Sequence, residues 1–139
     1  MVSIQDLQVG TVIDILDPLS FHDKHKYSII VGISDDSFFL GTVYINSEIN
    51  PSAINSPELA ALQYPIYREK YGFLLVTSYV DCSDMKDRMQ HGLLQAINDT
   101  GRILGRIARD DMGNIITLVL EAESIADYYK KVCNVVRHV

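Results

Sequence analysis

Four side chains able to carry positive charge fall within five positions: His22, Lys24, His25 and Lys26. Histidine titrates near neutral pH, so His22 or His25 can take or give a proton. The ammonium of Lys24 or Lys26 can hold a phosphate oxygen. Cleaving a phosphodiester without a metal needs a base for the attacking hydroxyl, a cation for the developing charge, and an acid for the leaving oxygen. These residue types match that list. Ser47, between Asn46 and Glu48 at the exit of a strand-like run, could position a substrate. The plainer reading of the same residues is structural. Charged residues between strands face water, and Asn and Ser at a strand exit close turns through local backbone hydrogen bonds.

Cys82 follows Asp81 and precedes Asp84. A nucleophilic thiol needs a nearby base and a depressed pKa, whereas flanking carboxylates raise it. Cys82 therefore reads as structural. Asp81 and Asp84 lack an evident third ligand, so no metal is expected. The run Gly101 to Arg106 lacks the Gly-Lys-Ser/Thr ending of a phosphate loop, and no cofactor is expected. The chain has eight tyrosines, most densely at Tyr64, Tyr67 and Tyr71. That group could stack bases or anchor a protein interface, and packing is the bland alternative.

Composition sets the frame around these residues. A chain of 139 residues, 47% hydrophobic, fits a single domain spanning 1–139 with one core. Its net charge of −6, from 18 acidic and 12 basic residues, argues against non-specific nucleic-acid binding. No apolar run reaches the roughly 20 residues of a membrane helix, so no membrane partner is expected. Met1 to Asp6 has neither a basic start nor an apolar stretch, and the two cysteines lack metal-type spacing. A cytoplasmic location with reduced thiols is the expectation.

The elements divide at about residue 82. Residues 1–82 read mainly as β, with strands over 11–16, 27–33, 38–45, about 64–67, and 73–80. Ser34 to Ser37 has turn chemistry, and Gly41 inside a strand suggests a bulge or a close backbone approach. Ser56 followed by Pro57 starts one or two turns of helix. Residues 83–139 read mainly as helical with one short strand, over 103–107. Met85, Met89, Leu93 and Ile97 share a helix face, with Asp84 as cap and Gly101 as stop. Met112, Ile115, Ile116, Val119 and Leu120 form the apolar stripe of a second helix. Ser124 with Asp127 begins a third, through Tyr128, Val132 and Val135.

The segment Val9-Gly10-Thr11-Val12-Ile13-Asp14-Ile15, then Asp17-Pro18, then Lys26 to Ser34, and finally Tyr44-Ile45-Asn46-Ser47, resembles the opening of PemK/MazF-like toxins. The likeness covers roughly residues 8 to 110. It implies a small, strongly bent antiparallel SH3-like β-barrel with attached C-terminal helices, an α+β fold. It also implies that a family activity, metal-independent cleavage of single-stranded RNA by a dimer, would fall to Lys26 and Ser47, to which the residue chemistry adds His25 as base or acid. Lys26 stands where the family has Arg, and lysine lacks the planar two-point grip of Arg on a phosphate. Two functions therefore stand side by side. One is a non-catalytic barrel that binds a protein partner, antitoxin-like or a second copy, through Tyr64, Tyr67 and Tyr71. The other is an endoribonuclease toxin of a toxin-antitoxin pair, with RNA as its substrate.

Overall fold

Runs of β-branched and aromatic residues build the centre of the molecule as three long strands, β1 (Thr11–Leu16), β2 (His25–Ile33) and β3 (Phe39–Asn46). They form an antiparallel meander in which Ile13 lies opposite Ser28, and Ser28 opposite Tyr44. Four shorter strands complete the sheet: β4 (Gln63–Ile66), β5 (Ser78–Asp81), β6 (Lys86–Met89) and β7 (Arg102–Arg106). Their order is β4-β5-β3-β2-β1-β7. β5 pairs with the end of β3, while β6 pairs with its beginning. The computed structural model describes residues 1–17 and 24–137.

All pairings are antiparallel, and the fold is α+β as the sequence indicates. The sheet is open, not closed into the expected barrel. Its edge strands, β4 and β7, lie at opposite ends of the order, and no pairing among the described residues joins them. Helices bury both faces instead, so the apolar strands need no closure to leave water.

One face carries Ile13, Ile15, Ile30 and Leu40 against Leu93 and Ile97 of α2 (Gln90–Thr100). The opposite face carries Val12, Ile29, Val31, Val43 and Val80. They pack against Met112, Ile115, Ile116 and Val119 of α3 (Arg109–Glu121). The expected α3 stripe is thus in the core, although Leu120 is only partly buried. The two-residue alternation of a strand assigns neighbours to opposite faces and separates the two clusters.

Two boundaries differ from expectation. The helix predicted from Met85 starts at Gln90, because Lys86–Met89 form β6 beside Phe39–Thr42. Met85 is buried while Met89 is 53% exposed. Asp84 caps nothing there and pairs with Lys86 at 3.1 Å. Of the predicted strand 73–80, only Ser78 onward pairs. A short helix, α1 (Pro57–Ala60), starts as expected, with the Ser56 hydroxyl accepting from the Leu59 N–H at 3.2 Å. The last helix, α4, covers Asp127–Val132 and stops before Val135. Ser124 does not cap it; its hydroxyl donates to the Ser83 carbonyl at 2.6 Å.

Gly41 does mark a close approach. The β2–β3 register shifts between Ile30 and Gly32, and the chain around Cys133 crosses there. A Cβ at Gly32 would lie 2.3 Å from the Cys133 carbonyl oxygen, and one at Gly41 would lie 2.8 Å from Met85 Sδ. Lys130 is buried although charged. Its ammonium donates to the Leu120 and Ala122 carbonyls at 2.9 and 2.8 Å, capping the C-terminus of α3.

Candidate functional site

Antiparallel pairing sets the start of β2 beside the end of β3, with Tyr27 opposite Ile45. A cleft of about 640 Å³ opens at that junction. His25, Lys26 and Ser47 all line it, so the fold gathers the three residues that the sequence put forward. Lys24, Gln63 and Asp81 supply further polar surface, and Leu75 and Val76 supply apolar surface. Leu75 is 84% and Val76 51% exposed, high values for aliphatic side chains. His22 lies outside the described residues.

Adjacent strand residues point to opposite faces, and this separates His25 from Lys26. His25 Nδ1 is bonded to Asp14 Oδ1 at 3.0 Å, and Arg102 Nε lies 3.7 Å from the other Asp14 oxygen. Lys26 Nζ donates to Asn46 Oδ1 at 2.6 Å and sits 5.0 Å from the centre of the Tyr44 ring. Burial lowers the Lys26 pKa, and Lys24 adds to that. Asp17 and Asp81 pull it the other way. Ser47 is exposed at the strand exit. Asp81 Oδ1 accepts from Gln63 Nε2 at 2.8 Å, from the Ser83 N–H at 3.1 Å and from the Ser83 hydroxyl at 2.5 Å. It fastens β4 to β5 and is not left open for a substrate.

Behind the cleft lies a polar network on the α2 face that sequence reasoning missed. Arg88 reaches Asp17 with two hydrogen bonds, Nη1 to Oδ1 at 3.1 Å and Nη2 to Oδ2 at 2.5 Å. Arg88 Nε donates to Thr42 Oγ1 at 2.9 Å, and the Tyr44 hydroxyl donates to Asp17 Oδ2 at 2.8 Å. Burial first, then the bond to Asp17, pushes the Tyr44 hydroxyl up to about 12. The pairing of Arg88 opposite Leu40 in β6 turns it inward.

The tyrosines split. Tyr64 and Tyr71 both donate their hydroxyls to Asp111 in the first turn of α3, Tyr64 at 2.6 Å. The Ala108 N–H and the Asn114 side chain donate to Tyr71 and Tyr64 respectively, each at 3.0 Å. Lys70 joins with ion pairs to Asp110 and Asp111. This clasp holds α3 to the β4 edge. Tyr67 remains exposed. Cys82 and Cys133 are free and buried. Burial, then Asp81, raises the Cys82 thiol to about 12; burial, then Asp87, raises Cys133 to about 11. Neither has the character of a nucleophile.

Among the described residues, no group of three His, Cys, Asp or Glu could hold a metal, and no helix is long and apolar enough to cross a membrane. Comparison with models of protein families and with curated proteins finds no match.

Proposed function

We propose that this protein is a non-catalytic binding module that holds an extended segment of a protein partner in the β2–β3 cleft. The carrying observation is the pairing of surfaces there. Exposed Leu75 and Val76 line the cleft together with the basic side chains Lys24, His25 and Lys26. An extended chain alternates its side chains, so it can offer apolar groups to the aliphatic residues and carboxylates to the basic ones. Relative to a tyrosine-based surface, the cleft is the better candidate, because Tyr64 and Tyr71 spend their hydroxyls inside the fold. The resemblance to PemK-like proteins bears on this reading through the strand pattern alone. The test is fluorescence anisotropy with a labelled peptide alternating Glu and Leu. Binding that Leu75→Asp weakens about tenfold supports the module; no binding, or equal binding by the variant, ends it.

One observation favours the second reading, metal-independent RNA cleavage: His25, Lys26 and Ser47 share a single cleft, with His25 seated on a carboxylate. Single-stranded RNA incubated with the protein in EDTA, beside Lys26→Ala, decides it. Cleavage by the parent that the substitution abolishes would replace the binding module with a nuclease.

A further inference from the structure

A second cleft, of about 760 Å³, lies between the turn before β1 and α3 and shares no lining residue with the first. Its floor is aliphatic: Val9, Ile107, Met112 and Ile116. Its charged residues are Arg106, Arg109 and Arg137, with no carboxylate among the lining residues. In a chain with 18 acidic and 12 basic residues, that concentration of one sign is a local reversal. A volume of this size suits a small molecule.

The three guanidiniums are not equivalent. Arg106 is fixed at the rim by Gln8 Oε1 at 2.6 Å and the Val9 carbonyl at 3.2 Å. Arg137 lies 3.6 Å from Glu121. Arg109 has no hydrogen bond or ion pair among the described residues. It is also the first residue of α3, where the positive end of the helix disfavours a cation. An anion between Arg109 and Arg106 would relieve both costs. Gly113 adds a steric argument. It lines the cleft within α3, where glycine weakens a helix, yet a Cβ there would meet nothing within 4 Å. No contact inside the chain accounts for the missing side chain, and its effect is to keep the cleft open.

We infer that this cleft binds a small apolar carboxylate, its hydrocarbon body on Met112 and Ile116 and its carboxylate between Arg109 and Arg106. Guanidinium matches a carboxylate with two parallel hydrogen bonds, and the aliphatic floor offers nothing to a sugar or a base. The site is separate from the β2–β3 cleft and does not depend on what that cleft holds.

Titration calorimetry of the full chain with decanoate, decanol and acetate tests the proposal. Decanoate is expected to bind at one per chain, and decanol and acetate at least about tenfold more weakly, because each lacks half of the recognised groups. Arg109→Ala should weaken decanoate about tenfold. Gly113→Leu should block it, with a thermal melt not below that of the parent, since the new side chain enters open space. No decanoate binding, equal binding of decanol, or full binding by a folded Gly113→Leu variant would overturn the inference.

Discussion

Removing Arg88 should unbalance the molecule more than any exposed charge could. Its side chain is 8% exposed, and that of Asp17 is fully buried. Arg88→Met keeps most of the volume but takes away the cation and four hydrogen bonds, two to Asp17 and one each to Thr42 and Tyr44. Removing the cation of a buried ion pair costs about 3–5 kcal/mol, even where a neutral donor such as the Tyr44 hydroxyl stays on the carboxylate. Unfolding entropy of about 2.1 cal/mol/K per residue gives roughly 290 cal/mol/K for a chain of this length. The expected fall in Tm is therefore about 10–17 °C. Asp17→Asn should also destabilise, by stranding the guanidinium. The double variant Asp17→Asn/Arg88→Met has no stranded charge and should lose clearly less than the sum of the two. Circular dichroism melts of the four proteins complete the cycle. An Arg88→Met melt within about 2 °C of the parent would refute the reasoning, by showing that water screens the pair.

Ile116 is 2% exposed, and Ile116→Ala should cost about 2–5 kcal/mol in urea unfolding; an unchanged midpoint would place α3 outside the core. Burial would raise the Asp111 pKa, but hydrogen bonds from Tyr64, Tyr71 and Lys70 outweigh it and hold it below the ordinary 3.8. Its contribution is therefore present above the ordinary value and lost as pH falls through the lowered one. Asp111→Asn should destabilise by about 1.5–3 kcal/mol at pH 7 and flatten the acid limb of a stability–pH curve; an acid limb identical to the parent's would contradict the clasp. Gly32→Ala should destabilise by at least about 1–3 kcal/mol, because the new Cβ meets the Cys133 backbone; a melt at or above the parent's would show that residues 133–135 do not seat there. Both thiols should resist Ellman's reagent at pH 8 until the protein unfolds, being buried and raised in pKa; rapid reaction of the folded protein would disprove this.

The three long strands were legible because Val, Ile and Tyr run through them between turn-forming residues. The sequence also marked the α3 stripe and the close approach at Gly41. What it hid was chiefly contact between distant elements. Lys86-Asp87-Arg88-Met89 has no apolar alternation, and Met85 and Met89 imitate a helix face. Only the exposed edge of β3 makes that segment a strand. The Arg88–Asp17 pair joins residues 71 apart, and nothing local announces it. Tyr64 and Tyr71 looked like a surface cluster, because their acceptor, Asp111, lies 40 or more positions away. The β2–β3 cleft was half legible. Antiparallel pairing of the two strands brings His25, Lys26 and Ser47 to one end, but strand alternation sends the first two to opposite faces.

The crossing of residues 133–135 over Gly32 and Gly41, together with the placing of β7 outside β1, sets an order on biosynthesis. A ribosome makes β1, β2 and β3 early, yet β1 lacks its outer neighbour until residues 102–106 emerge. The apolar surface over the two glycines stays open until Cys133 and Val135 emerge. Until then the nascent meander has unpaired strand edges and uncovered isoleucines, which makes it prone to stick. Because the β1–β7 pairing joins residues about 90 positions apart, this part of the fold should form late.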